Sequence, residues 1–269
     1  MALQYTRPST VDEAVALLQQ HGSRAVPLAG GTWLTPRLRT DVDIPGSLAG
    51  TVDMVVDLAN LPLNYVIGEG EPGNGWLRIG ATTRLADVMN DTMCRALASG
   101  ILAEAARRAG PVNTRNTATV GGCVAARGPV LEFTLALAAL GALVITADGA
   151  ESSGVLAPLS DQLITEIRLP WPRSDVRGGL ARVARTPVDQ PIVAAAAVVD
   201  AQSLQIALGG VATETLLVAA GSAAELDSAI AGQLAAAQPF ADFRGSVEYR
   251  HAMAPIVARR SVEAALGRS

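Results

Sequence analysis

Between residues 9 and 22 the apolar positions Val11, Ala14, Val15 and Leu18 recur at helical spacing and share one face. A T-x-x-E capping box, Thr10 with Glu13, predicts where this helix starts. Gly22 predicts where it stops. The pattern then shortens: AVPL (25–28), MVVDL (54–58), YVIG (65–68) and WLRIGA (76–81) are β-type runs divided by turn residues. Helical spacing returns in TTRLADVMND, where Leu85, Val88 and Met89 share a face, and in ILAEAARRAG, closed by Gly110. Pro129 suits the first turn of a further helix running through Leu140. From Leu143 onward β-type runs dominate: LVIT, LITEIRL, GLARVAR, IVAAAAVV, LQIALGG and TLLVAAG. Two helices, near 222–238 and 246–266, end the chain, and Pro255 predicts a break or restart in the second. The order is α+β, without the regular alternation of a doubly wound sheet. A change of character at LPWPRSD (169–175) marks the expected domain boundary.

Composition narrows the chemistry. With 269 residues there is room for two domains, each with a core. Hydrophobic residues make up 49% and aromatics only 3%, so small methyl-bearing side chains must fill that core. A net charge of −4 argues against a nucleic-acid groove. All 21 basic residues are arginine, which excludes a P-loop lysine and a lysine Schiff base. Cys94 and Cys123 form no CxxC, His21 and His251 stand at opposite ends of the chain, and no HExxH occurs. Zinc and iron–sulfur ligation by this chain are therefore not expected. The start, MALQYTRPST, lacks a signal pattern, and the longest apolar run, Phe133 to Ile145, is short and glycine-broken. The expectation is a soluble cytoplasmic protein without a transmembrane segment. No Ser/His/Asp set and no hydrolytic carboxylate pair stands out, so a self-contained catalyst of bond cleavage is not expected.

Two glycine pairs remain to be explained. VPLAGGTWL (26–34) carries Gly30–Gly31 before Thr32, and TRNTATVGGCV carries Gly121–Gly122 after Thr119. Neither is GxGxxG, so a Rossmann site is not supported. Each pair reads either as a tight turn or as bare backbone offering N–H groups to a pyrophosphate, with no cationic side chain needed. Glu132 reads as a carboxylate favoured by a helix N-terminus or as an acceptor for ligand hydroxyls. Arg115 and Asn116 read as loop hydrogen-bonders or ligand contacts. Arg182 and Arg185 are expected on one side of a strand, either solvated or at an anion or cofactor edge. Trp33 reads as core or interface rather than as a stacking partner, and Cys123 as a small buried apolar residue.

The order of motifs resembles one family. LAGGT, RNTATVGG, LITEIRLP, GLARVAR, IALGGVA and DFRGSVEYRHAM follow one another over nearly the whole chain. Together they resemble the FAD-binding medium subunit of molybdenum hydroxylases of the carbon monoxide dehydrogenase and xanthine dehydrogenase type. The resemblance implies an FAD-binding domain of the vanillyl-alcohol-oxidase type over 1–170, with subdomains of about 1–58 and 59–170. It implies a smaller C-terminal α+β domain over 171–269 with a three-stranded antiparallel sheet. Pyrophosphate-holding positions are implied at Pro27, Leu28, Ala29, Gly30, Gly31, Thr32, Trp33 and Leu34, and at Thr119, Val120, Gly121, Gly122 and Cys123. Glu132, Leu163 and Arg182 match further cofactor positions.

The chain departs from the family's pattern at Trp33, at Cys123 in place of asparagine, and at Gly128 in place of aspartate. Polar side chains are lost there, while the backbone donors remain. The implied function is electron transfer, with no catalytic side chain and no metal of the chain's own. Electrons would pass from [2Fe–2S] clusters on a small partner, fed by a large molybdenum-cofactor partner, through FAD to NAD, a quinone or another acceptor. A dimer of heterotrimers is the implied assembly. The departures keep a second reading open, a flavin-free structural or docking subunit.

Overall fold

A computed structural model describes residues 3–39, 48, 50–126, 132–152, 154–156, 162–186, 189–222 and 224–268. Pro129 and Gly128 lie outside the described residues. Three sheets are built in chain order. The first is parallel: β1 (Gln4–Thr6) and β2 (Ala25–Leu28) flank β3 (Met54–Asp57) in the order β1-β3-β2. Helix α1 (Val11–His21) buries Ala14 against this sheet. Its start is the expected one, with Glu13 N donating to Thr10 Oγ1 at 3.2 Å, while the Glu13 carboxylate accepts from Ser9 N at 2.8 Å. A short helix, α2 (Leu34–Arg39), follows β2.

The second sheet is antiparallel. Strands β4 (Val66–Glu71), β5 (Asn74–Gly80), β6 (Leu143–Thr146) and β7 (Ile164–Pro170) take the order β4-β5-β7-β6. Between β5 and β6 run α3 (Leu85–Asn90), α4 (Thr92–Ala96), α5 (Ile101–Arg108), α6 (Val112–Arg115), α7 (Val120–Ala126) and α8 (Glu132–Ala139). Every residue of α8 is buried, as expected of a helix that is apolar nearly all round.

The C-terminal sheet holds four antiparallel strands, not three. Strands β8 (Arg177–Val183), β9 (Val193–Val199), β10 (Leu204–Gly209) and β11 (Leu216–Ala220) take the order β11-β10-β9-β8. Strand β8 takes in the first five residues of GLARVAR and pairs along its full length with β9, from Arg177↔Val199 to Val183↔Val193. Strand β9 explains its own composition. Ala194 and Ala196 face the core around α5 and α8, whereas Val193, Ala195, Ala197 and Val199 face the core beneath the terminal helices. A strand buried on both faces loses polar alternation, and alanines let α8 approach closely.

Those terminal helices are α9 (Leu226–Ala236) and α10 (Val247–Ala265). Contrary to the sequence expectation, α10 runs unbroken through Pro255. Ala254, Val257, Ala258 and Val262 are buried, and the helix lies on β8 and β9, so packing outweighs the lost hydrogen bond. The DFRGSVEYR motif is a structural tie. Arg250 is 1% exposed, donates to Gly210 O at 2.8 Å and Gly245 O at 3.0 Å, and pairs with Asp242 at 2.5 Å. Its charge is thereby satisfied inside the core.

Candidate functional site

Segments from all three sheets converge on a cavity of about 1340 Å³. Strand β2 ends at Leu28, and the chain turns through Ala29–Trp33 into α2. Gly31 has φ +69°, and its carbonyl accepts from Thr35 N at 2.9 Å. A side chain there would be strained and would meet Thr35 Oγ1 at 2.7 Å. The N–H groups of Gly30, Gly31, Thr32 and Trp33 have no acceptor among the described residues. Four consecutive unpartnered donors on a cavity wall form an anion cradle.

The second glycine pair is built differently. Gly121 and Gly122 lie in the first turn of α7 rather than in a loop. Thr119 caps it, with Oγ1 accepting from Gly122 N at 3.2 Å and its carbonyl from Cys123 N at 2.9 Å. Val120 N donates to Thr83 O and Gly121 N to Ala81 O, both at 2.9 Å. Its N–H groups are thus consumed inside the protein, and the open donors come from the first segment. The two segments touch: a Cβ on Gly30 would stand 1.8 Å from Thr117 O. Bare backbone at Gly30 is therefore required by this packing, before any ligand is considered.

Pro27, Ala29 through Leu34, Thr119, Gly121, Gly122, Cys123, Glu132, Leu163 and Arg182 line the cavity. Leu28 and Val120 do not; Val120 is fully buried, and its carbonyl neighbours belong to the fold. Arg115 lines the cavity and Asn116 does not. Arg185 lies beyond the end of β8 and does not line it. It stands three positions from Arg182, an odd spacing that a pleated strand sends to opposite faces.

Electrostatics sets the site's character. Arg37, Arg107, Arg108, Arg115 and Arg182 line the wall, against the carboxylates of Glu132 and Asp189. Cationic side chains, which the backbone reading of the sequence did not call for, are thus abundant. Glu132 is 5% exposed and accepts from Arg182 Nη1 at 3.0 Å. Arg108 Nη1 stands 3.5 Å from Glu132 Oε1, ion-pair range without hydrogen-bond geometry, so Oε1 has no hydrogen-bond partner among the described residues. Arg108 is itself held by Glu104 at 2.7 Å. Arg115 donates to Gly110 O, and its buried Nε has no hydrogen-bond partner among the described residues. Burial pushes the Cys123 thiol up to about 12, so it stays neutral and poorly nucleophilic at physiological pH.

The arrangement suits an anionic, hydroxyl-bearing ligand. Among the described residues there is no group of three or more potential metal ligands. Sequence reasoning missed Arg37, Arg107, Arg108, Gln162, Asp189 and Gln190, all on the cavity wall. They come from distant segments with no local motif, and only the fold assembles them.

Residues 1–172 match the family model described as the FAD binding domain in molybdopterin dehydrogenase. The chain is 29% identical to the carbon monoxide dehydrogenase medium chain of Afipia carboxidovorans over 98% of its own length and 97% of the relative's. It is 27% identical to the caffeine dehydrogenase subunit beta of a Pseudomonas species over 76% of its length and 70% of that subunit's. A crystal structure of the Cu,Mo-CO dehydrogenase superposes with a TM-score of 0.85 at 28% identity, covering 100% of this chain and 99% of the other. A chain of carbon monoxide dehydrogenase from Hydrogenophaga pseudoflava superposes at 0.83 with 26% identity, covering 100% and 98%.

Proposed function

The chain belongs to the family of FAD-binding domains of molybdopterin dehydrogenases, and from that premise we propose that its cavity holds FAD on the electron exit path of a molybdenum hydroxylase complex. The observation that carries this reading is the run of four unpartnered N–H groups, Gly30 to Trp33, on the wall of an arginine-lined cavity. A pyrophosphate matches both the donors and the excess positive charge. The orphaned Glu132 Oε1 supplies an acceptor for a ribityl or ribose hydroxyl, since a buried carboxylate oxygen is costly without a donor. Arg182 and Arg108 hold that carboxylate in place. Leu163, at the mouth of β7, and Cys123 contribute apolar wall.

Bound FAD supplies the redox chemistry, accepting and releasing electrons one or two at a time. The protein's residues bind and orient the cofactor and exclude water, and none needs to act as acid or base on an organic substrate. Residues 1–170 serve as the FAD-binding part and 171–269 as a C-terminal part that closes the cavity from the side of Arg182 and Asp189. The partners are a large molybdenum-cofactor subunit and a small [2Fe–2S] subunit, in a dimer of heterotrimers. The acceptor is NAD, a quinone or another oxidant. No helix among the described residues is long and apolar enough to cross a membrane.

The test is flavin content of the chain co-purified with its partners, read from the visible spectrum. Wild type is expected to carry about one FAD per chain, and Gly31→Val to lose it with little change in far-UV circular dichroism, because the added side chain distorts the φ +69° turn that aims the donors. Full flavin occupancy in that variant, or a colourless wild-type complex, would overturn the reading.

A further inference from the structure

Aromatic side chains are scarce here, 3% of the chain. Two of them line the cavity, Trp33 and Phe133. Phe133 is 1% exposed and committed to the core, whereas Trp33 is 40% exposed. Trp33 is also held in place. The Arg37 guanidinium lies 3.8 Å from the centroid of its ring, and Arg37 Nη1 donates to Trp33 O at 2.9 Å. Positions 33 and 37 are four apart at the start of α2, the spacing at which helical side chains meet. One face of the indole is covered by the cation, and the ring keeps exposed surface on the cavity wall. The same residue contributes its main-chain N–H to the anion cradle.

We propose that Trp33, clamped by Arg37, is a stacking shelf for the adenine of the dinucleotide. This rests on the FAD reading of the cavity and goes beyond it by assigning the position of one ring. The choice of adenine follows from connectivity. A phosphate anchored on the N–H groups of Gly30 to Trp33 is joined to adenine through a compact ribose, but to the isoalloxazine through the longer ribityl chain. The ring that stays close to the anchor is the purine. Stacking on an aromatic face is tolerant of ring substituents and strong enough to matter for affinity. An arginine behind the indole stiffens it, so little side-chain entropy is lost on binding.

The experiment uses the deflavinated full-length chain, wild type and Trp33→Leu, titrated separately with FAD, ADP and FMN by calorimetry. The shelf predicts that Trp33→Leu weakens FAD and ADP alike by roughly tenfold or more, the scale of one lost base–aromatic stack. FMN, which lacks the purine, should bind both forms equally. Trp33→Phe keeps a ring and should recover most of the ADP affinity, which a purely structural role of the indole in α2 would not require. ADP should also quench a tryptophan emission component that is absent from Trp33→Leu. Loss of FMN affinity with ADP untouched would move the shelf to the isoalloxazine and overturn the assignment. Equal losses for all three ligands, or none for any, would reduce the Trp33–Arg37 pair to a helix-start contact. A wild-type chain that binds neither FAD nor ADP would overturn the cavity reading itself, and the shelf with it.

Discussion

Cys123 tests whether a departure from the family's pattern is a loss or an adaptation. Its side chain packs against the core that contains Ala81, Leu85 and Val124, and burial keeps the thiol neutral. An asparagine amide at this place brings donors and an acceptor that need partners, and the backbone donors around it are already engaged with Thr83, Ala81 and Thr119. Cys123→Asn is therefore expected to bind FAD no more tightly than wild type and to lower stability by about 1–3 kcal/mol, the cost of an unmatched polar group in an apolar niche. Titration of FAD together with thermal melts decides it; a tighter-binding variant of unchanged stability would mark Cys123 as a simple loss. At this scale the sequence marked Gly30 and Gly31 as unusual but not why. Gly30 is bare because Thr117, almost ninety positions away, lies against it, and no local pattern carries that information. The arginine wall was hidden for the same reason. Arg37, Arg107 and Arg108 each look like ordinary surface charges until two separate helices bring them to the cavity that Arg182 also lines.

Strand β7 carries a buried carboxylate whose titration reports on the middle sheet. Glu166 is 3% exposed and accepts from Tyr65 OH at 2.7 Å, from Arg78 Nε at 2.8 Å and from Arg168 Nε at 3.3 Å. Burial opposes its charge, but the hydrogen bonds from Arg78 and Tyr65 outweigh burial and hold the carboxyl below the ordinary glutamate range. A folded-state value below the unfolded one means that the stability contributed is present above the unfolded value, about 4.3, and is lost as pH falls through the folded one. Melting temperature should thus fall on acidification below about pH 4.3. Glu166→Gln should melt lower than wild type at pH 7, and the gap should narrow as pH falls. Parallel melting curves for the two proteins from pH 7 to 3.5 would remove Glu166 from the acid response. Strand β7 was plain in LITEIRL, as were α1 from its capping box and β9 from IVAAAAVV. What failed were elements that conflict with local propensity. The glycine pair of α7 looked like a loop and is helical because Thr119 caps it and Ala81 and Thr83 take up its first donors. Helix α10 tolerates Pro255 because β8 and β9 hold its apolar face.

The whole molecule joins its parts through shared core rather than through a linker. One face of the C-terminal sheet, with Leu180, Ala194, Ala196 and Ala207, belongs to the same hydrophobic cluster as Leu102, Ala105, Phe133 and Leu137 of α5 and α8. The other face, with Val193, Ala197, Ile206 and Leu208, packs beneath α9 and α10. The sheet is thus a middle layer, and removing either side exposes an apolar face. Helix α8 is in the same position, buried over its whole length between α5 and strands β9 and β10. A family match that ends at residue 172 therefore does not mark a unit expected to fold alone. Unfolding of the full chain is expected as one cooperative transition, with calorimetric and van't Hoff enthalpies in agreement. Residues 1–172 produced alone are expected to associate through the uncovered faces of α5 and α8. Two resolved transitions, or a soluble monomeric fragment with the full chain's near-UV spectrum over that part, would show that the two parts are stable independently. The cavity is lined from both sides of this junction, by Gly30–Leu34 and α7 on one and by Arg182, Asp189 and Gln190 on the other. Cofactor binding should accordingly raise the single transition as a whole, by an amount set by ligand concentration over Kd.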